Sequence, residues 1–373
     1  MDSFKPFHDI TSDPAAYAAN WQRQTNRKVI GYFCSYAPEE LIVAADALPV
    51  RLGSDPLPIS LADAHLQAYC CSLARQGLEA VLSGRWQFLE GAVFPHTCDT
   101  MQRLSDIWRL RAGLRFHFDV VLPVKFNSTA AQEYLVATLR QFKQDLEQSL
   151  GIQITSEKLA QSIRLYNRLR QTLLEIYELR HRQPGLLSGT DLYALMRAAT
   201  VMDRADLLQQ LQTIKATLLQ KGLPIASPQA KRILLAGGVC YQPAIYSILE
   251  EAGAVVAWDD LCTGTRMIDG WIDEQAEPIA ALAQRYWERP ICPAKHQDLT
   301  SRRDRLLHLI AEKKIAGIIF LRLKFCDPHA FDYPYLKEAL DRAGCPHILL
   351  EIENHLFSDA QVRTRLEAFV EMI

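Results

Sequence analysis

The chain has 373 residues, 49% of them hydrophobic and 23% charged, with a formal net charge of -2. That length exceeds one ordinary core, so two domains are expected, and the near-neutral charge excludes a protein that works by coating nucleic acid. No run approaches the roughly 18 apolar residues of a membrane span, and Met1-Asp2-Ser3-Phe4-Lys5 lacks the basic-then-apolar build of a signal peptide, so a cytoplasmic protein with no membrane partner is expected.

After a polar leader with a helix around Pro14–Thr25, Lys28-Val29-Ile30-Gly31-Tyr32-Phe33 reads as a strand. Pro38–Ala45 reads as a helix, with proline in its first turn and Glu39 and Glu40 placed where acids suit the helix dipole. Leu48–Leu52 returns as a strand, giving a βαβ opening and an expected parallel sheet. Cys71 opens a helix to about Gly84, where an N-terminal thiolate is expected to have a lowered pKa, with Arg75 adding positive charge one turn on. The strand Gly91–Pro95 delivers Cys98, and Met101–Trp108 follows as a helix capped by Asp99 or Thr100.

From Ser128 to about Lys221 the apolar residues recur at helical spacing, for example Leu135, Leu139, Phe142 and Leu146, and are read as core packing. Pro224–Pro228 reads as a linker. Arg232–Gly238 is then a buried strand ending in a Gly-Gly turn, too short of the G-x-G-x-x-G pattern to argue for a dinucleotide. Helix and strand alternate to the end: Ile245–Glu251, Ala254–Ala257, Arg302–Lys313, Ala316–Leu321, Tyr335–Ala343, His347–Glu351, and a last helix from Ala360. The expected fold is α/β: an α/β domain over 1–127, a helical segment over 128–223 between the domains or capping the first, and a second open, mainly parallel α/β domain over 228–373.

Nine cysteines in a reducing compartment leave free thiols or metal ligands. Cys34, Cys240, Cys292 and Cys345 read as small apolar residues. Cys98-Asp99 and Cys326-Asp327 each follow a short apolar run, the place where an open parallel sheet presents chemistry, and the pair Cys70-Cys71 stands at a helix start. Three thiolates from such places suit a soft metal centre, yet no C-x-x-C spacing occurs, and spacing alone leaves metal ligands and buried structural thiols both open.

Gly31-Tyr32-Phe33-Cys34-Ser35-Tyr36-Ala37-Pro38-Glu39-Glu40, the Cys71 helix, Phe94–Asp99, Leu104–Trp108, Asp259–Arg266, Lys324–Pro328 and Gln361–Glu371 together resemble the 2-hydroxyacyl-CoA dehydratase and benzoyl-CoA reductase family. The resemblance implies a [4Fe-4S] cluster between two α/β domains, held by Cys71, Cys98 and Cys326, with Cys71 matching the motif better than Cys70. It implies an acyl-CoA thioester substrate, reduced by one electron to a ketyl radical that expels its hydroxyl group. It also implies a homologous second subunit or a homodimer, and an ATP-dependent iron–sulfur activator as electron donor; no Walker A loop is present in this chain. Glu40, in the Pro-x-Glu motif, is the candidate proton-handling or positioning carboxylate. Two alternatives stand beside this one. One is the family's double-cubane branch, an [8Fe-9S] reductase of small molecules with Cys34, Cys240 and Cys262 as further ligands. The other is a non-catalytic partner subunit of a catalytic homologue.

Overall fold

The computed structural model describes residues 3–55, 57–220, 230–289, 292–298, 300–353 and 358–373. It contains two four-stranded sheets, every strand pairing in parallel. The first holds β1 (Val29–Tyr32), β2 (Leu48–Arg51), β3 (Gly91–Pro95) and β4 (Phe116–Val120) in the order β2-β1-β3-β4. The second holds β5 (Lys231–Gly237), β6 (Ala254–Asp260), β7 (Gly317–Leu323) and β8 (His347–Ile352) in the order β6-β5-β7-β8. The two sheets therefore share one topology. Continuous apolar runs such as Ile233-Leu234-Leu235-Ala236 and Ile318-Ile319-Phe320-Leu321 are buried on both faces, as helix-covered parallel strands require.

Most expected elements are present with ends shifted by a residue or two. The expected linker Pro224–Pro228 lies outside the described residues. Three differences matter for the site. The edge strand β4 was not anticipated; its pattern Phe116-His117-Phe118-Asp119-Val120 alternates as a half-buried strand should, but is short and polar. The helix expected from Met101 begins at Asp99, and Cys98 itself is the N-cap residue, in place of Asp99 or Thr100. The helix expected from Tyr335 begins at Asp327 and runs to Arg342, tolerating Pro334, with Cys326 at its N-cap.

The helical segment is a pair of long helices, Thr129–Leu150 and Ser156–Arg182, followed by Gly189–Ala198 and Arg204–Gln220. Chain order and packing part company after β6. Ile272, Ile279, Leu282 and Tyr286 leave the second sheet and pack in one core with Ile30, Tyr32, Leu41 and Ile42 of the first. The two halves are thus interlocked across the expected boundary at 228.

The Gly-Gly turn after β5 has a packing cause. At Gly237 φ is +130°, and a Cβ would lie 2.1 Å from the carbonyl oxygen of Leu321. The turn holds β5 against β7, with the Gly238 amide donating to Leu321 O at 3.0 Å. Gly237→Ala combines forbidden backbone with a backbone clash and is expected to destabilise the protein by about 3 kcal/mol or more, read as a lowered denaturant midpoint. An unchanged midpoint would show that the turn is not needed for the close approach.

Candidate metal centre between the two sheets

In an open parallel sheet the functional crevice lies outside the carboxyl ends of the strands. Five cysteines follow such ends here: Cys34 after β1, Cys98 after β3, Cys240 after β5, Cys262 after β6 and Cys326 after β7. The two edges are strapped together by buried cations and a phenol. Arg51, at the end of β2, donates to the carbonyl of Cys262 at 2.8 Å. Arg289 donates to Ser35 O at 2.7 Å and Ser35 Oγ at 2.9 Å. Tyr286 donates its hydroxyl to Ala37 O at 2.9 Å, and Lys295 donates to His96 O at 3.2 Å and Leu122 O at 3.0 Å.

Within this frame Cys71, Cys98 and Cys326 share one local design. Each is the N-cap residue of a helix, Ser72–Leu82, Asp99–Arg111 and Asp327–Arg342 respectively. In each case the backbone N–H three residues on, that of Ala74, Met101 or His329, faces the sulfur and favours its anion, without closing a cap hydrogen bond. The three are close enough that charge on Cys71 raises the pKa of both others, and charge on Cys98 raises that of Cys326. The three therefore lie within electrostatic range of one another.

The expected lowering of the Cys71 pKa at its helix terminus is corrected. Burial dominates, and the Cys71 thiol is pushed up despite the amides of Ala74 and Leu73. The Cys98 thiol is pushed up to about 12 for the same reason, and Cys326 also rises through burial. Arg75 offers little relief, since its guanidinium is held 2.6 Å from Asp63. Among the described residues, no three His, Cys, Asp or Glu side chains converge tightly enough for a single metal ion. A lone zinc ion needs its ligands within about 2.3 Å of one point, whereas a cubane distributes its thiolates over separate irons. An all-thiol donor set is one that soft metals take.

Glu40 is not brought to these thiols. It is 1% exposed and ion-paired with Arg170. Burial opposes its ionisation, but Arg170 and Arg285 outweigh burial and hold the carboxyl below its ordinary range. It lines a small cavity of about 40 Å³ with Glu39, Tyr166, Arg204 and Arg285. A cleft of about 550 Å³ lies elsewhere, against Cys98, with His96, Gln102, Arg302, Phe331 and Tyr335 among its walls. That volume is in the range of small-molecule sites.

Two features were not anticipated. His96, on the cleft wall, is oriented by Asp119 at 2.7 Å, which also accepts from Ser105 Oγ and faces His117 at 3.3 Å. The alternation of His117 and Asp119 on β4 was the available signal. The second is a further thiol group: Cys34 acts electrostatically on Cys98 and Cys292, and Cys292 faces Cys262. Cys34 and Cys292 also pack against the first sheet's apolar core, as expected of small apolar residues. Cys240 packs with Ile245 and Tyr246 and is directed at Gln242 O, 3.7 Å away. The structure does not place Cys240 with Cys34 and Cys262.

Comparison with known proteins decides the family. The model of the 2-hydroxyglutaryl-CoA dehydratase D-component matches residues 34–373. The chain belongs to that family. It is 28% identical over 370 residues to the (R)-phenyllactyl-CoA dehydratase beta subunit of Clostridium sporogenes, covering 99% of this chain and 98% of that one. It is 28% identical over 365 residues to one of the benzoyl-CoA reductase subunits of Thauera aromatica, covering 95% and 94%. It is 25% identical over 367 residues to the lactoyl-CoA dehydratase beta subunit of Anaerotignum propionicum, covering 98% and 97%. No described helix is long and apolar enough to cross a membrane.

The Glu40–Arg170 pair generates a prediction that separates a structural from a proton-handling role. Glu40→Ala leaves a buried guanidinium uncompensated and is expected to cost about 3–5 kcal/mol in chemical denaturation. A variant of native stability that has lost only activity would restore the catalytic assignment.

Proposed function

We propose that this chain is the iron–sulfur subunit of a radical acyl-CoA dehydratase or reductase, holding one [4Fe-4S] cluster on Cys71, Cys98 and Cys326. The observation that supports it most is the repeated N-cap design of these three cysteines, two from the first sheet's loops and one from the second's, within electrostatic range of one another. When bound, such a cluster supplies one electron and an iron with an open position that acts as a Lewis acid toward a thioester oxygen. The chain's own residues hold and insulate. The N-terminal amides of three helices favour sulfur anions, burial excludes water, and Lys295 fixes the Cys98 loop through His96 O. Because the thiols are protonated when empty, loading must release protons and is favoured by rising pH.

The cleft beside Cys98 carries Asp99, Asp298, Asp327 and Asp332 against Arg302. A phosphate-bearing coenzyme A tail is not expected to lie along those carboxylates; the acyl end suits the cleft better. Anaerobic preparations are expected to hold about four iron and four sulfide per chain, and Cys98→Ser or Cys326→Ser less than half of that. Near eight iron would favour the double-cubane reading, and a colourless protein with stoichiometric zinc would overturn both.

A second reading is favoured by the names of the relatives, each of which is one subunit of a larger dehydratase or reductase. Here the chain holds its cluster beside a homologous catalytic chain and does not turn over alone. Both readings take electrons from an ATP-dependent activator. At the mouth of the cleft Val124, Phe331 and Tyr335 are 59%, 77% and 60% exposed, an apolar rim suited to the homologous subunit. Phe331→Glu with Tyr335→Glu is expected to weaken co-purification of that subunit at least tenfold while leaving iron content unchanged. Unaltered association would move the interface elsewhere.

A further inference from the structure

The cavity of about 40 Å³ beside Glu40 is walled by charge: Arg170, Arg204 and Arg285 against Glu39 and Glu40, all of them buried. Four helices meet there, Glu39–Ala44, Ser156–Arg182, Arg204–Gln220 and Pro278–Glu288. Two of the cations have a carboxylate each. Arg204 lies 2.7 Å from Glu39 and donates Nε to Tyr166 Oη at 3.0 Å, and Arg170 is ion-paired with Glu40. Tyr166 in turn donates to Glu39 at 3.2 Å. Among the described residues Arg285 has no such partner; its hydrogen bonds go to the carbonyl oxygens of Asp269 at 2.9 Å, Met267 at 3.0 Å and Gly270 at 3.3 Å. Three cations against two carboxylates leave one positive charge in excess. Arg170 Nη1 is buried with no hydrogen-bond partner among the described residues, and Leu169, Leu173 and Leu207 on the same walls bring no side-chain acceptor to it.

We infer that this cavity is a binding site for one chloride-sized inorganic anion, with Arg170 Nη1 as its donor and Arg285 as the charge it neutralises. Size sets the class. A water needs roughly 10–15 Å³ of such space, so about 40 Å³ admits a halide, while organic ligands occupy pockets of roughly 300 Å³ and more. Charge sets the valence, since one excess positive charge matches a monovalent ion and not a phosphate or sulfate. The driving force is the cost of a buried cation without a counter-ion. The crowding is felt at Arg285, which burial, Arg170 and Arg289 together push down to about 9 against the pull of Glu40. Arg285 belongs to the segment that returns from the second half to the first sheet's core, and Arg170 to the long helix packed against Glu39–Ala44. An anion between them is a clasp at the crossing, and the stability of the interlocked halves then depends on the halide in solution.

Two measurements on the full-length chain test this. In solution, the thermal midpoint is followed as chloride replaces gluconate at constant ionic strength, which holds screening fixed. A rise that levels off at high chloride is expected, the mark of a filled site on the folded state. In crystals grown with bromide, an anomalous peak at the bromine edge is expected in the cavity, in contact with Arg170. Arg285→Gln removes the excess charge without stripping a carboxylate of its partner. It is expected to raise the half-saturating chloride concentration about tenfold or more, as loss of one nearby unit charge implies. Where far-ultraviolet dichroism shows that variant to be misfolded, the two wild-type measurements decide alone. Water alone in the cavity overturns the inference, whatever the midpoint does. So does a bromide peak with no levelling response in solution, which is binding at crystal concentration only, and so does an unchanged half-saturation in a folded Arg285→Gln.

Discussion

The site depends on buried positive charge that holds two sheet edges face to face. Arg51, Arg289 and Lys295 are each almost fully buried; Arg51 reaches from the first sheet to the Cys262 carbonyl of the second half, while Arg289 and Lys295 tie the returning segment to Ser35, His96 and Leu122 of the first. Among the described residues no carboxylate lies in ion-pair range of any of them. Buried cations without counter-ions are costly in a low-dielectric interior. Phenols and thiols face two of them: Tyr241 and Tyr32 act on Arg51 ahead of Cys262 and Cys34, and Cys34 and Cys292 act on Lys295.

Burial acts to raise the pKa of Cys71, Cys98, Cys326, Cys292 and Cys262 alike, and of these Cys262 alone is brought down, by its neighbours. Cys71, Cys98 and Cys326 face one another and backbone amides, so each negative sulfur would raise the next and protons are retained. Only a positive centre among them makes all three anionic together, which is the electrostatic argument for a metal cluster. At Cys262 the neighbouring Cys292 thiol, the Arg266 guanidinium and the His329 imidazole pull the other way and lower its pKa against burial. The backbone carries strain at two of the same loops: Cys34 at φ 50° and Phe325 at φ 64° are both left-handed without being glycine, and Phe325 immediately precedes Cys326. Such conformations cost of order 1–3 kcal/mol each and persist where surrounding structure aims a neighbouring group.

Sequence reasoning reached the parallel sheets because buried parallel strands announce themselves as unbroken apolar runs, as in Ile318–Leu321. It singled out Cys71, Cys98 and Cys326 as candidates because each follows a strand or opens a helix, while only the family resemblance named them as one ligand set. β4 escaped because an edge strand with histidine and aspartate has little apolar run to show. The Cys262–Cys292 contact escaped for another reason. It joins residues in different loops through a segment that crosses between sheets, and no local pattern encodes a crossing. The partner of Glu40 was not legible because two acids at a helix start are accounted for by the helix dipole alone; Arg170, 130 residues away, supplies it.

That crossing bears on how the crevice can work. Two α/β domains joined by a single linker commonly close about a hinge. Here the segment after β6 returns to the first sheet, seats Ile272, Ile279, Leu282 and Tyr286 in its core, and fixes Tyr286 on Ala37 and Arg289 on Ser35. Opening the crevice would expose those apolar side chains and strip hydrogen bonds from buried cations at the same time. Each buried aliphatic or aromatic side chain contributes roughly 1.5–3 kcal/mol, so a wide hinge motion is disfavoured by several such terms at once. The cysteine loops of the two halves are accordingly held at fixed separation. Access is left to the cleft against Cys98 and to whatever covers its apolar rim.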